Sequence, residues 1–254
     1  MPLRAIIFDV DGTLAETEEA HRAAFNQAFA EAGKPWCWSQ SDYEALLTIT
    51  GGKERIRRFF AEAEIAPDAD LIAALHSRKN HIYAGLVARG AISPRPGVVR
   101  LIEDARGHGV ALAIATTTSR PNLAALLRHV FGETSIDWFA EVVTAEDVAA
   151  KKPDPEAYSR VLSRLRLDAS ECIAIEDSRN GLDAALACGI ATLVTPSRYS
   201  KSQQFPGAAR ICASLDDDCG PVDIAALASI LDGRLADRPR QSAATSGVRP
   251  PSDR

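Results

Sequence analysis

Cysteine is sparse in this chain and follows no pattern. The five thiols, Cys37, Cys172, Cys188, Cys212 and Cys219, are odd in number, scattered, and never spaced as Cys-x-x-Cys. That argues against a disulfide framework or a zinc site and for reduced thiols in a cytosol. No apolar run approaches the roughly 18 residues that a membrane helix needs. The chain enters a predicted strand within a few residues of Met1, without the basic and long apolar regions of a secretory leader or a Ser/Arg-rich transit sequence. A cytoplasmic location is therefore expected. An excess of charge is missing as well. The formal net charge of −5 is mild, so neither nucleic acid nor a membrane surface is expected as a partner. No internal repeat is visible.

What is present suits a soluble globular protein: 254 residues, 46% of them hydrophobic and 25% charged, enough for one domain or a domain carrying an insertion. Short β-branched runs recur at Arg4–Val10, Val110–Thr116, Glu141–Thr144, Cys172–Glu176, Ile190–Thr195 and Arg210–Ala213. Continuous apolar stretches such as "ALAIA" and "CIAI" are what a parallel sheet covered on both faces requires. Amphipathic helices are predicted between them, over Val98–His108, Asn122–Val130, Pro155–Arg164, Leu182–Cys188 and Ile224–Leu231, with Gly109, Gly189 and Gly233 where helix ends are expected. The alternation predicts an α/β fold with a doubly wound parallel sheet.

One stretch breaks the alternation. Between Glu16 and Val87 only helical periodicity is found, as in "HRAAFNQAFAEAG", "KERIRRFFAEA" and "LIAALHSRKNHIYAGLVA". The expected organisation is a core of residues 1–15 and 90–233, an inserted helical cap over 16–89, and a tail over 234–254. That tail, rich in proline and poor in large aliphatics, has too little apolar surface to offset the entropy of ordering and is expected to be disordered.

The chemistry begins where the first strand ends. "AIIF" runs into Asp9-Val10-Asp11-Gly12-Thr13, two like charges one residue apart. Alone, this fits a strand-to-helix turn as well as a metal-assisted phosphoryl-transfer site. It is not an EF-hand, whose glycine and closing glutamate fall elsewhere. Three further polar groups follow apolar runs, and ligands of doubly wound sheets bind at the carboxyl ends of strands. Thr116-Thr117-Thr118 could hold an anion or cap the next helix. Lys152, kept out of a regular helix by Pro153, is an ordinary surface lysine taken alone and a cation for a transferring phosphoryl group in combination. Glu176-Asp177 ends the fourth strand. So many carboxylates at one sheet edge call for a hard divalent cation, and Mg²⁺ fits a site that also holds phosphate.

In that order, these groups resemble the haloacid dehalogenase-superfamily phosphatases whose helical cap follows the first motif. The resemblance runs from the first strand to about Gly233 and implies a Rossmann-like core. It implies that Asp9 is the nucleophile and Asp11 the general acid, then base. Asp11 would then be protonated at the first step, its pKa raised by burial and a neighbouring carboxylate. It also implies that Thr116 and Lys152 hold the phosphoryl oxygens. Mg²⁺ would be bound by Asp9, the Asp11 backbone carbonyl and Asp177, with Glu176 as a ligand or an acceptor behind it.

The predicted cap carries basic groups of its own. Thr50-Gly51-Gly52-Lys53-Glu54 opens a helix and is not a Walker A loop, because Leu47 and Glu54 occupy the wrong positions. "HSRKNHIY" adds Arg78 and Lys79 on another helix, although a solvated basic face would explain Arg78 equally well. Two basic sites above a phosphoryl-transfer site suggest a substrate with a second phosphate. Glu18 and Glu19 would suit sugar hydroxyls, while His21 fits either the site or helix packing. The stretches "FDVDGTLAETEEAHR", "TGGKER", "RKN", "ATTTS" and "KKPDPEAY" resemble the CbbY-type branch, close to the β-phosphoglucomutases. That implies a Calvin-cycle phosphatase removing the Rubisco inhibitor xylulose-1,5-bisphosphate, with Gly52, Lys53, Arg55, Lys79, Thr117 and Thr118 about the substrate. A sugar phosphomutase is the alternative, and Thr13 leans toward hydrolysis. A monomer with a small sugar phosphate as its partner is expected.

Overall fold

The computed structural model describes residues 2–90, 92–217 and 220–233. The expected tail over 234–254 and Cys219 lie outside them. In chain order the elements are β1 (Ala5–Phe8), α1 (Glu18–Glu31), α2 (Gln40–Leu46), α3 (Gly52–Glu62), α4 (Ala69–Ala88), α5 (Val98–Gly107), β2 (Ala111–Ala115), α6 (Arg120–Phe131) and β3 (Glu141–Val143). They continue with α7 (Glu156–Leu165), β4 (Cys172–Glu176), α8 (Arg179–Ala187), β5 (Ala191–Val194), β6 (Arg210–Ile211), β7 (Asp216–Asp217), β8 (Gly220–Pro221) and α9 (Ile224–Leu231).

Six strands form one parallel sheet in the order β3-β2-β1-β4-β5-β6. β1 is central: Ala5 to Phe8 pair with Ala111 to Ile114 on one side and with Cys172 to Ile175 on the other. Every β1 side chain is buried because both faces of the sheet are covered. Ile6, Phe8, Leu112, Ile114, Ile173 and Ile175 face a cluster with α5, α6 and α9. Ala5, Ile7, Ala113, Ala115 and Ala174 face a second cluster with α7 and α8. Tyr158 of α7 packs among the small alanines of that second face. Helices end where glycines take positive φ, as at Gly109, Gly189 and Gly233 (φ +68°, +74° and +70°).

The doubly wound sheet matches the sequence reading, with local differences. α6 starts at Arg120 and α8 at Arg179, two and three residues earlier than the apolar period indicates. Ser119 precedes α6, and the Ser178 side chain accepts from Gly181 N at the start of α8, so polar residues open both helices. β6 is a two-residue edge strand, and the β7–β8 hairpin, built from Asp, Gly and Pro, has no hydrophobic alternation to announce it.

Helices α1 to α4 all fall between β1 and α5. They enclose an aromatic cluster of Phe25, Phe29, Trp38, Tyr43 and Phe60 with Ile56, Ile72 and Leu75. The chain leaves and returns at one place, where Ala15 bridges to both Asp11 and Pro94, and Arg95 N donates to Leu14 O. The buried Arg95 guanidinium donates to the carbonyls of Gly12, Thr195 and Pro196, tying that crossing to the loop after β5. No helix of the described residues is long and apolar enough to cross a membrane.

Candidate active site

Asp9 extends β1 by one residue, its N–H donating to Ile175 O at 3.0 Å. The chain then turns sharply at Gly12, whose φ of +84° favours glycine. A Cβ there would lie 2.3 Å from Asp177 Oδ2, so the Asp177 carboxyl can lie against this turn only because the residue has no side chain. The turn aims Asp11 away from Asp9. Its Oδ1 accepts from Thr17 Oγ1 at 2.6 Å and is bonded to His21 Nε2 at 3.0 Å. The His21 ring stacks on Tyr83, centroids 3.9 Å apart, and its Nδ1 lies 2.8 Å from the buried Lys79 Nζ.

Asp9 has a different partner. Lys152 Nζ, buried, donates to Asp9 Oδ1 at 2.7 Å, Ala115 O at 2.8 Å and Glu176 Oε1 at 2.6 Å. Glu176 is fully buried and also accepts from Tyr158 Oη at 2.6 Å. Asp177 lies beside it, and Ser200 Oγ donates to its backbone carbonyl at 2.7 Å. Side-chain oxygens of Asp9, Glu176 and Asp177 all lie within 4.8 Å of one another.

This density of carboxylates shapes their ionisation. Burial, together with the charges of Glu176 and Asp11, pushes Asp9 up to about 8 despite Lys152. Burial and the charges of Asp9 and Glu176 push Asp177 well above the carboxylate range. Burial would lower Lys152, but Asp9 and Glu176 outweigh it and hold the ammonium charged. Burial would also raise Asp11, yet His21 and Thr17 override it and hold that carboxyl at about 2. The upward shift of Asp11 expected from sequence is therefore reversed in this fold. Its neighbours Thr17 and His21 bond to the carboxyl, and that outweighs burial.

Three buried carboxylates supplying only oxygen fit a hard divalent cation. Asp9 and Asp177 face the cavity, whereas Glu176 is turned toward Lys152 and Tyr158. Gly181 makes room for this, since a Cβ there would lie 1.9 Å from Glu176 Oε2. The Asp11 side chain is engaged elsewhere, which leaves its backbone carbonyl as its available ligand.

A cavity of about 600 Å³ connects this sheet edge with the helices above it. Thr116, Thr117 and Thr118 line it, Thr116 Oγ1 accepting from Thr118 N at 3.1 Å. From the helical side Glu18, His21, Gly52, Lys53, Arg55 and Lys79 also line it. Arg55 Nη1 donates to Tyr43 Oη, and Tyr43 Oη to Glu18 Oε2, each at 2.8 Å. Arg78 does not reach the cavity. It pairs with Glu31 on the outer face, because a step of one residue along α4 turns a side chain by about 100°.

Several lining residues escaped sequence reasoning. Lys151 pairs with Glu54 at 2.7 Å across the cavity mouth. Asn180 Nδ2 donates to Thr48 O and Thr50 Oγ1, each at 3.1 Å. His76 is lowered to about 4 by burial and the charges of Lys79, Lys53 and Lys151. The doubled lysine of "KKPD" was the one available signal. Asn180 and His76 carry none in their local sequence.

A family model described as haloacid dehalogenase-like hydrolase matches residues 3–189. Protein CbbY of Rhodobacter capsulatus is 46% identical over 208 residues, covering 82% of this chain and 92% of that protein. Plasmid-borne CbbY of Cupriavidus necator is 46% identical over 228 residues, 87% and 89% of the two chains. Among solved structures, CbbY from Rhodobacter sphaeroides in complex with phosphate superposes with a TM-score of 0.83 at 43% identity, covering 91% of this chain and 99% of that one. A mutant of that protein in complex with xylulose-1,5-bisphosphate gives 0.81 at 44% identity, covering 84% and 94%. The β-phosphoglucomutase of Clostridium difficile, 18% identical with a TM-score of 0.76 over 93% and 100%, shares the fold. By sequence and by structure, the chain belongs to the haloacid dehalogenase-like hydrolases, among the CbbY proteins, and is a phosphoric monoester hydrolase.

Proposed function

We propose that this chain is a Mg²⁺-dependent phosphatase of a sugar bisphosphate, xylulose-1,5-bisphosphate foremost, acting through an aspartyl-phosphate on Asp9. One observation carries the reading: Asp9 and Asp11 face one cavity with opposite partners, Asp9 on Lys152 and Asp11 on Thr17 and His21. A carboxyl held by a lysine at the sheet edge, beside a second carboxyl held by a histidine and a threonine, suits a nucleophile and an acid–base group. The basic groups Lys53, Arg55 and Lys79 on the opposite wall suit a second phosphate. The bisphosphate complex of the similar Rhodobacter protein supports that choice.

In this reading Asp9, Asp177 and the Asp11 carbonyl hold Mg²⁺, with Glu176 behind them. The ion supplies charge neutralisation that lets one anion approach another. Lys152 and Thr116 hold two phosphoryl oxygens. Asp9 would be held ionised by Mg²⁺, and the negative charge of an incoming phosphate would raise Asp11 so that it takes a proton from solvent. A carboxylate oxygen of Asp9 attacks phosphorus, the ester P–O bond breaks, and Asp11 gives its proton to the departing sugar alkoxide. Asp11 then takes a proton from water as that water attacks phosphorus, which releases phosphate and restores Asp9. Helices α1 to α4 act as a cap that excludes water until the sugar leaves.

The test is phosphate release from a panel of sugar mono- and bisphosphates, with Mg²⁺ or with EDTA. Selective, Mg²⁺-dependent release from xylulose-1,5-bisphosphate is expected, and Asp9→Asn should lower it by about 10³-fold or more. Conversion of β-glucose-1-phosphate to glucose-6-phosphate with little release would overturn hydrolysis in favour of a mutase.

A further inference from the structure

The loop after β5 serves both walls of the cavity. Tyr199 comes from the sheet side of the chain, yet its ring is buried in the aromatic cluster of α1 to α4. It stands edge-on to Tyr43, with centroids 5.7 Å apart and planes at 85°, and its hydroxyl donates to Glu19 of α1. Tyr43 is itself a hub. Its one hydroxyl proton goes to Glu18, its oxygen accepts from Arg55, and the Arg55 guanidinium lies 4.9 Å over its ring. Glu18 and Arg55 both face the cavity.

The neighbours of Tyr199 face the other wall. Ser200 Oγ donates to the Asp177 carbonyl at 2.7 Å, Ser197 N donates to Ser200 Oγ at 2.8 Å, and the Ser197 side chain bonds to the Asp177 carboxyl. Four residues thus touch a metal-site carboxylate and the cap's recognition groups at once. Arg198 adds two cap-side contacts, its N–H to Glu16 and its guanidinium to Gln40.

We propose that Tyr199 is a positioning residue: its ring, carried on the loop that holds Asp177, fixes Tyr43 and thereby orients Glu18 and Arg55 toward the substrate when the cap is seated. The inference deepens the sugar-bisphosphate reading and rests on it. Tyr43 is fully buried among Phe25, Trp38 and Tyr199, so the face that Tyr199 covers helps to fix where its hydroxyl points. Emptying that face lets the hub tilt, and a misplacement of about 1 Å can cost 10²-fold in rate. A rigid ring suits the task because it has few rotamers to lose.

The alternative is that Tyr199 only fills space, and kinetics separate the two. In Tyr199→Leu, kcat/KM for the best sugar phosphate of the panel should fall about 10–100-fold, with KM rising more than kcat falls. Acetyl phosphate has no sugar for Glu18 or Arg55 to hold, so its turnover should stay within about threefold. Tyr199→Phe keeps the ring and should restore sugar phosphate turnover to within about threefold of the unsubstituted enzyme. Because Tyr199 acts through the hub that holds Arg55, Tyr199→Leu combined with Arg55→Gln should be little worse than Arg55→Gln alone.

Equal losses on acetyl phosphate and sugar phosphate, or losses that multiply in the double variant, would overturn the proposal. Tyr199→Met takes the place of Tyr199→Leu if the latter does not fold. If the unsubstituted enzyme works best on a monophosphate, the bisphosphate reading fails. The same cycle run on that ester still decides the role of Tyr199.

Discussion

Asp9 and Asp11 show how much two positions of one turn can differ. Both are acidic, both flank Val10, and the surroundings alone separate them. Asp11 receives Thr17 and His21, and the His21 proton is fixed by what lies behind it. Burial and the charge of Lys79 hold His21 below its ordinary value, so the ring is neutral at pH 7. With Lys79 donating to Nδ1, Nε2 carries the proton and gives it to Asp11. His21→Ala removes one of the two side-chain donors, so the Asp11 pKa should rise from about 2 toward the ordinary carboxylate range. We expect kcat to fall about 10–100-fold with a smaller change in KM, because Asp11 loses the partner that aims it, which outweighs its easier protonation. Steady-state kinetics across pH check this, and an unchanged kcat would remove His21 from the acid–base machinery. The aspartate pair is legible in the sequence as two acids ending a strand. The direction of the Asp11 shift is not, because Lys79 lies 58 residues beyond His21 and only the fold brings them together.

At the level of elements, β4 and α8 make one device. β4 ends in Glu176 and α8 begins over it, so the helix's first turn must leave room for a buried carboxylate. Gly181 leaves that room. Helix propensity says that Gly181→Ala should stabilise α8 by about 0.5–1 kcal/mol. Packing says the reverse, since the added methyl collides with Glu176 and breaks its bonds to Lys152 and Tyr158. Overpacking and a disturbed buried ion pair outweigh propensity, and a net loss of ~2–4 kcal/mol is expected. Chemical denaturation of the two proteins decides the sign, and a stabilised variant would refute the packing account. The strands of the main sheet are legible because full burial makes them continuous apolar runs. The β7–β8 hairpin is not, being polar and two residues per strand. Arg78 was named beside Lys79 for a related reason. α4 has apolar residues around most of its circumference, so its pattern does not say which neighbour looks inward.

For the molecule as a whole, the cavity is a store of unfavourable charge that a bound cation would relieve. The Asp9 carboxyl titrates at about 8 in the fold against an ordinary 3.8, so the folded state binds more protons than the unfolded chain between those values. The contribution of Asp9 to stability is therefore complete below pH 3.8 and is lost as pH rises through about 8. Asp177 shifts in the same direction and adds to the loss. Asp11 has the opposite sign, but its contribution is already present above 3.8 and vanishes only as pH falls through about 2, outside this window. The metal-free protein should thus lose stability from pH 5 to pH 8, while Mg²⁺, which requires ionised ligands, should bind more tightly across the same range. At a Mg²⁺ concentration of about 100 times Kd, mass action adds ~2.7 kcal/mol, or ~5–10 °C in Tm for a chain of this size. Thermal melts with Mg²⁺ and with EDTA at the two pH values test this. A gain in Tm that grows with pH, and that shrinks in Asp9→Asn, is expected. An equal gain at pH 5 and pH 8 would mean that the ion is bound away from the carboxylates at this sheet edge.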